Sequence, residues 1–368
     1  MSLRIPAELL PADGRFGSGP AKIRPGALEY LGMRSDLLGT SHRQAPVRQL
    51  VCDIQQGLAE LYGLPDGYEV VLGNGGSTLF WDVAVSSLIE NRSAHGVYGE
   101  FTRKFAKASA RAPHLVAPSI TEVPAGSATF PSITGDADAY AWAHNETSTG
   151  AAMPVRRLAE NALMLIDATS AAGAMPVDVC ECDVYYFAPQ KNFSSDGGLW
   201  LALVSPAAIE RAARIKESGR WIPESLDFSV AVSNSRQHQT LNTPALATLL
   251  LLEDQINWLL DHGGLGFAER RCRESTGLLY EWAQANPLAA PFVSPEHRSP
   301  VVATIDFVPE VDAAALAATL RDNGIVDIEP YRGLARNQIR VAAYASVDPG
   351  DVGALCACLD YVLERITA

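Results

Sequence analysis

Short apolar runs alternate with longer amphipathic segments through the first two-thirds of the chain. The short runs, bounded by glycine, proline or polar residues, predict strands. The longer segments carry apolar residues at helical spacing and predict helices. Strands that alternate with helices are typical of a mostly parallel sheet covered on both faces, so we predict an α/β fold. The strands are predicted at 68–72, 95–98, 138–142, 162–167, 184–189 and 198–204, and the helices at 46–62, 79–88, 101–110 and 245–260.

The pattern changes after Gly264. Three helices, predicted at 267–285, 312–320 and 348–366, here accompany strands predicted at 301–307, 325–328 and 338–344. This order favours a smaller α+β domain with a sheet of its own. We therefore expect an N-terminal arm at 1–14, a large domain at 15–262 and a small C-terminal domain at 263–368.

The composition is that of an ordinary globular protein, with 368 residues, 48% hydrophobic residues and 19% charged residues. The net charge of -13 argues against a nucleic acid or an anionic membrane as partner, although arginines within a pocket could still bind a small anionic substrate. Neither the N-terminal residues nor the segment 245–260 is long and apolar enough for a signal sequence or a membrane span. The six cysteines lack zinc spacing, so we expect reduced thiols, no metal site and a cytoplasmic protein.

One of the five lysines of the chain, Lys191, follows directly after the apolar run 184–189. A lysine among apolar groups loses solvation of its charged form, so its pKa falls and its amine becomes a usable nucleophile. A Schiff-base lysine needs this property. A lysine at a strand end is more often simply solvated, so the position alone does not decide between the two interpretations.

A carboxylate stands at the end of another predicted strand, where Asp167 is the last residue of the apolar run 162–167. If the two strands are parallel, Asp167 and Lys191 lie at the same edge of the sheet, where α/β proteins bind their ligands. A lysine opposite a carboxylate fits pyridoxal phosphate, because lysine binds the aldehyde and the carboxylate keeps the pyridine nitrogen protonated.

A glycine-rich turn, Gly73-Asn-Gly-Gly-Ser-Thr78, joins the predicted strand 68–72 to the predicted helix 79–88. Glycines let backbone N–H groups point toward an anion, and a helix N-terminus carries partial positive charge. The turn therefore suits a phosphate group, although it matches neither a P-loop nor a dinucleotide fingerprint. A plain turn is an equally good interpretation of this segment alone.

Taken together, these segments resemble the phosphoserine aminotransferases, a group of class V aminotransferases within the fold-type I pyridoxal-phosphate enzymes. The matching segments follow the order of that group across nearly the whole chain. They are Gly17-Ser-Gly-Pro20, Ser41-His-Arg43, Gly75-Gly-Ser-Thr78, Asn145-Glu-Thr147, Ile166-Asp167, Gln190-Lys-Asn192, Asn242-Thr-Pro244 and Arg340. The resemblance implies a large domain with a mostly parallel seven-stranded sheet and a smaller C-terminal α+β domain.

The resemblance also implies how the cofactor, pyridoxal 5'-phosphate, would be held. Lys191 would carry the Schiff base and transfer the proton, and Asp167 would pair with the ring nitrogen. Phe101 would stack on the ring, and Thr147 would bond its hydroxyl or a nearby group. The phosphate would be held by Ser77, Thr78 and Gln190, and by Asn242 and Thr243 of a second subunit, so the enzyme is expected to be a homodimer.

The implied substrates are small anionic amino and keto acids. Arg340 would bind the α-carboxylate, while His42 and Arg43, helped by Arg332, would bind the distal anionic group. The implied reaction moves an amino group between glutamate and 3-phosphohydroxypyruvate, giving O-phospho-L-serine and 2-oxoglutarate in serine biosynthesis. Another class V aminotransferase, such as an alanine–glyoxylate or serine–glyoxylate aminotransferase, and a non-catalytic pyridoxal-phosphate-binding or scaffold protein remain as alternatives.

Two positions depart from the group. Thr78 stands where many members have an arginine, and Tyr331 stands where many have a histidine. Each lost contact to a charged substrate group would cost about 1.5–3 kcal/mol if nothing replaces it. Arg336 is a candidate replacement. Arg340 lies within a strand pattern, where an unpaired charge is costly, so we expect it to have an anionic partner.

Overall fold

The computed structural model describes residues 3–366. Within this range the chain forms ten α-helices, and short 3-10 turns connect some of them. The helices are α1 (Pro25–Met33), α2 (Ala45–Tyr62), α3 (Ser77–Ser87), α4 (Glu100–Arg111), α5 (Pro206–Glu217), α6 (Phe228–Ser235), α7 (Leu246–Asp261), α8 (Gly264–Ala285), α9 (Ala313–Arg321) and α10 (Pro349–Ile366).

Twelve strands lie in the same range. They are β1 (Glu69–Asn74), β2 (Ser93–Val97), β3 (Ser119–Glu122), β4 (Ala139–Ala143), β5 (Asn145–Glu146), β6 (Ala151–Ala152), β7 (Leu163–Asp167), β8 (Val184–Phe187), β9 (Leu199–Val204), β10 (Ala289–Pro291), β11 (Val302–Phe307) and β12 (Gln338–Ala342).

Seven strands form the main sheet, in the order β1-β9-β8-β7-β4-β2-β3. Strand β9 runs antiparallel to the other six strands, which are all parallel to one another. This arrangement confirms the prediction of a mostly parallel seven-stranded sheet. Every residue of β4, β7 and β8 is buried, because helices cover both faces. Helix α2 is one of these covering helices, and its apolar residues at helical spacing, Val47, Leu50, Ile54 and Leu58, are buried. Gly63 ends this helix in the left-handed conformation.

A second sheet, antiparallel and in the order β10-β11-β12, forms with α8, α9 and α10 around a separate apolar core. The predicted strand at 325–328 is wrong. Val326 pairs only through an isolated bridge to Arg15, and Asp327 has a φ of 64°, which turns the chain out of the extended conformation.

The N-terminal segment packs against this second core, where Ile5 and Phe16 are buried. The boundaries of the arm and of the two domains stay predictions, and residues 1, 2, 367 and 368 lie outside the described part of the chain. None of the helices within residues 3–366 is long and apolar enough to cross a membrane.

The carboxyl ends of β7 and β8 bring the two predicted catalytic residues to one edge of the main sheet. Asp167, the last residue of β7, pairs with Tyr186 of β8. The chain leaves β8 at Phe187, and a short turn then leads to Lys191. The sheet edge predicted from the two apolar runs is therefore present.

Candidate active site

A cavity of about 170 Å³ opens at this sheet edge. All seven residues predicted from the sequence to hold the cofactor within one subunit line it: Ser77, Thr78, Phe101, Thr147, Asp167, Gln190 and Lys191. Trp81, Asn145, Thr169 and Gly76 complete the wall. The cavity thus collects side chains from five separate parts of the chain.

Lys191 projects into this cavity and donates a hydrogen bond from Nζ to the backbone oxygen of Ser18, 2.7 Å away. Burial, together with the charge of Arg340, lowers the pKa of Lys191 to about 8, although Asp167 opposes the shift. Gly19 makes room for the amine, since a Cβ at this position would lie 1.8 Å from Nζ. The amine is therefore closer to its neutral, nucleophilic form at physiological pH than an exposed lysine is.

Asp167 is buried and accepts four hydrogen bonds. Oδ1 accepts from the backbone nitrogen of Thr169 at 3.0 Å and from its hydroxyl at 2.5 Å. Oδ2 accepts from the Tyr186 hydroxyl at 3.0 Å and from Trp81 Nε1 at 3.4 Å. Burial raises the pKa of Asp167, whereas these hydrogen bonds lower it. The donors fix the direction of the carboxylate, and a cationic partner in the cavity would hold it ionised.

The glycine-rich turn forms an open helix N-terminus beside this pair. Helix α3 begins at Ser77, and no side chain caps its first backbone N–H groups. Gly75 has a φ of 112°, a conformation that glycine adopts without strain. The Ser77 hydroxyl and Gln190 Oε1 are buried, and neither has a hydrogen-bond partner among the described residues. The uncapped N–H groups of α3 and the Ser77 hydroxyl are free donors, and such donors at a helix N-terminus suit a phosphate group.

Phe101 stands at the start of α4, and a buried carboxylate fixes that helix. Glu146 Oε2 accepts hydrogen bonds from Thr102, 2.9 Å from its backbone nitrogen and 3.1 Å from its hydroxyl. Thr147 follows directly, and its hydroxyl donates to Ser170 Oγ at 2.6 Å. Since this proton is already engaged, the Thr147 hydroxyl is left to act toward a ligand as an acceptor.

A second cavity, of about 430 Å³, adjoins the first and shares Phe101, Thr147 and Lys191 with it. Arg340 and Arg332 lie in its wall. Arg340 donates from Nη1 to the backbone oxygen of Thr147 at 3.2 Å, and its buried Nε has no partner. Across residues 3–366 no carboxylate forms a salt bridge with Arg340, so the anionic partner expected from the sequence is not a side chain described here. A guanidinium turned toward a cavity is available to an anionic ligand.

Four predicted binding residues line neither cavity. They are His42, Arg43, Asn242 and Thr243, and two of them are neighbours, with 3.3 Å between His42 Nδ1 and the Thr243 hydroxyl oxygen. His42 is buried, and its Nε2 has no hydrogen-bond partner within residues 3–366. Burial and the charge of Arg43 lower the pKa of His42. Arg43 is exposed. This subunit therefore does not place the four residues in the wall of its own cavity.

Arg336 does not replace the missing substrate contacts. Its guanidinium forms a bidentate pair with Asp306 and lies 4.2 Å from the centre of the Phe292 ring. It is absent from the walls of both cavities. The structure therefore does not support the replacement role suggested for Arg336, which already has an anionic partner.

Sequence reasoning did not assign roles to several residues that line or support the cavity. Trp81, Thr169 and Tyr186 bind Asp167, and Glu146 supports the helix that carries Phe101. The positions of Thr169, two residues after Asp167, and of Trp81, one turn after Ser77, could have suggested them. Glu146 lies within the matching segment Asn145-Glu-Thr147, whereas nothing local distinguishes Tyr186.

Comparison with known proteins gives the family of the chain. The profile described as "Aminotransferase class-V" matches residues 121–328, more than half of the sequence. This chain belongs to the class-V aminotransferases. The protein is therefore an enzyme that transfers amino groups. The family predicted from Lys191, Asp167 and the ordered motifs is confirmed.

Relatives and one solved structure agree with this result. A protein of Mycolicibacterium vanbaalenii named "Putative phosphoserine aminotransferase" is 57% identical over 99% of each chain. The phosphoserine aminotransferase of a Nocardioides species is 55% identical, again over 99% of each chain. A crystal structure of a phosphoserine aminotransferase from Cytophaga hutchinsonii covers 95% of this chain and 99% of its own, with a TM-score of 0.88 and 21% identity. At that identity the structural likeness shows the fold.

Proposed function

We propose that this aminotransferase uses pyridoxal 5'-phosphate to transfer the amino group of glutamate to 3-phosphohydroxypyruvate, giving O-phospho-L-serine and 2-oxoglutarate in serine biosynthesis. The observation that carries the proposal is that Lys191, Asp167 and an uncapped helix N-terminus line one cavity, beside Arg340, which forms no salt bridge with a described carboxylate. Two relatives that are more than half identical over their full length bear the corresponding name.

The described residues fit the cofactor. The N-terminus of α3, with the unpartnered Ser77 hydroxyl, supports binding of the phosphate, and Thr78 and Gln190 lie in the same wall. Phe101 would cover one face of the ring, and Asp167 would face its nitrogen. When bound, pyridoxal phosphate supplies a ring that takes up the electron pair left when the Cα–H bond of the substrate breaks.

Lys191 is the residue to which we assign attachment of the cofactor and proton transfer. Its lowered pKa makes the free amine available as a base, so Nζ would take the proton from Cα of glutamate. The same atom would return a proton as the keto acid receives the amino group. The backbone oxygen of Ser18, 2.7 Å from Nζ, would orient the amine during both steps.

Asp167 would act electrostatically rather than by proton transfer. A carboxylate that faces a ring nitrogen favours the protonated nitrogen, and the positive charge strengthens the ring as an electron acceptor. The hydrogen bonds from Thr169, Tyr186 and Trp81 would keep Asp167 in place. Such preorganisation avoids reorientation when charge develops in the transition state.

Arg340 and Arg332 would bind the substrate, with Arg340 holding the α-carboxylate through two parallel hydrogen bonds. We further propose that the enzyme is a homodimer in which Asn242 and Thr243 of one subunit reach the cofactor phosphate of the other. The buried, unpartnered Nε2 of His42 supports a ligand there, and His42 contacts Thr243. In that arrangement His42 and Arg43 would bind the distal anionic group of the substrate from the second subunit.

A glyoxylate-using aminotransferase would share the cofactor site and differ at the distal group. Steady-state kinetics with 3-phosphohydroxypyruvate, hydroxypyruvate and glyoxylate as amino acceptors would separate the two. We expect kcat/KM to be at least about 100-fold higher for the phosphorylated acceptor, since a lost pair of charged contacts costs about 3 kcal/mol or more. A preference for glyoxylate would reject the proposed substrate and leave the transaminase assignment in place. Location in the cytoplasm stays a prediction.

A further inference from the structure

Tyr331, which stands where many phosphoserine aminotransferases have a histidine, lies between three side chains at the edge of the second cavity. Its hydroxyl accepts a hydrogen bond from Lys104 Nζ at 3.1 Å. The Arg340 guanidinium lies 5.5 Å from the centre of its ring, and the Phe101 ring lies 5.5 Å away at an edge-on angle of 66°. A single aromatic ring thus contacts the proposed carboxylate-binding arginine and the residue expected to cover the cofactor.

Lys104 belongs to α4, the helix that also carries Phe101. Its amine lies 3.5 Å from Glu100 Oε1 and 5.6 Å from the centre of the Phe101 ring. The hydrogen bond with Tyr331 and the carboxylate of Glu100 raise the pKa of Lys104, so the amine is charged at physiological pH. Lys107, one turn further along α4, is exposed and has no hydrogen bond or ion pair with a described side chain.

The segment 330–335 forms few other hydrogen bonds within the described part of the chain. Among the described residues, the bond between Lys104 and Tyr331 is the only hydrogen bond that ties this segment to the rest of the chain. The other hydrogen bond of the segment is internal, from the Leu334 nitrogen to the Tyr331 oxygen. Arg332, next to Tyr331, is exposed at the cavity. The bond from α4 therefore fixes the segment that carries Arg332 and the ring that packs on Arg340.

We propose that Lys104 and Tyr331 are positioning residues that hold Arg332 and Arg340 ready for the two anionic groups of the substrate. This inference rests on the proposed function. A cation held in place before binding loses less conformational freedom when the substrate arrives, so substrates bind more tightly. We call the hydrogen bond between Lys104 and Tyr331 the clasp. Because the substrate carries its anionic groups both before and during the reaction, loss of the clasp would raise KM and leave kcat nearly unchanged.

The test compares the holoenzyme with the variants Lys104→Met, Tyr331→Phe and the double variant. Tyr331→Phe keeps the ring and removes only the hydroxyl, whereas Lys104→Arg keeps a donor and serves as the rescue. Lys107→Met, on the same helix, is the matched control. Hydrogen–deuterium exchange of residues 330–335 without substrate reports on the clasp itself, and steady-state kinetics with glutamate reports on positioning.

We expect faster exchange in segment 330–335 and a rise in KM for glutamate of about threefold to tenfold in both single variants, as for one partly exposed charged hydrogen bond. The double variant should be no worse than the more affected single variant, because both changes remove the same bond. Lys104→Arg and Lys107→Met should stay close to the wild type. Unchanged KM in both single variants, with or without faster exchange, would overturn the inference. If the wild type transfers no amino group from glutamate, the proposed function fails instead, and the exchange data still test the clasp.

Discussion

Replacement of Arg340 by lysine tests the proposed substrate site most sharply among single substitutions. Arg340 keeps one hydrogen bond within the chain, to the Thr147 backbone oxygen, and contacts the Tyr331 ring. Its Nε is buried and has no partner in the described part of the chain, so this donor is free next to the cavity. Lysine keeps the positive charge and loses the planar fork that can bind a carboxylate through two parallel hydrogen bonds.

The size of the effect follows from the loss of one charged hydrogen bond. Such a bond contributes about 1.5–3 kcal/mol. Since about 1.4 kcal/mol is a factor of ten, kcat/KM for glutamate should fall about 10-fold to 100-fold. The α-carboxylate is bound in both the ground state and the transition state, so most of the fall should come from a higher KM.

The assay is steady-state kinetics of Arg340→Lys with glutamate as the varied substrate, with thermal unfolding to confirm that the variant is folded. Arg336→Lys is the matched control, because Arg336 is paired with Asp306 outside both cavities. We expect the control to change kcat/KM by no more than about twofold, because an exposed ion pair contributes little energy. A folded Arg340→Lys enzyme with the kinetics of the control would refute the assignment of Arg340 to the α-carboxylate.

Three further predictions concern the cofactor site. Asp167→Asn should lower kcat about 10-fold to 100-fold with a smaller change in KM, because a neutral amide cannot hold the ring nitrogen protonated; a kcat equal to that of the wild type would contradict this role. In the cofactor-free protein, the rate at which Lys191 captures added pyridoxal phosphate should rise with pH and reach half its maximum near the pKa of about 8, since only the neutral amine attacks; a midpoint near that of an exposed lysine would argue against burial. Gly19→Ala should displace the Lys191 amine and reduce cofactor capture, because the new Cβ would lie 1.8 Å from Nζ and the φ of residue 19 is 150°. The control is Gly32→Ala in α1, where a Cβ meets nothing within 4 Å, and it should behave like the wild type. Equal capture by both variants would show that the amine can move aside.

The chemistry of the cavity could be predicted from the sequence because it depends on local patterns. Asp167 and Lys191 each follow a short apolar run, and parallel strands bring such ends to the same edge. The glycine-rich turn before Ser77 is also local, since strand, turn and helix follow one another directly. Each of these features needs only a few neighbouring residues to form.

Features that depend on contacts between distant segments could not be predicted in this way. Tyr186 and Lys104 have no unusual neighbours in the sequence, yet one binds Asp167 and the other binds Tyr331. The strand expected at 325–328 had a suitable apolar pattern, but Asp327 takes a left-handed conformation there. Arg336 looked like a spare cation because its partner Asp306 lies 30 residues earlier in the chain, on β11. Only the folded chain shows which charges are already paired.

Transfer of isotope from ¹⁵N-glutamate to 3-phosphohydroxypyruvate, followed by mass spectrometry, tests the central claim most directly. The purified enzyme with pyridoxal phosphate should yield ¹⁵N-labelled O-phospho-L-serine and an equal amount of 2-oxoglutarate. A Lys191→Ala variant should yield neither above the uncatalysed level, while Lys107→Met, altered outside the cavity, should match the wild type. Absence of label in phosphoserine with the wild type, or full labelling with Lys191→Ala, would contradict the account.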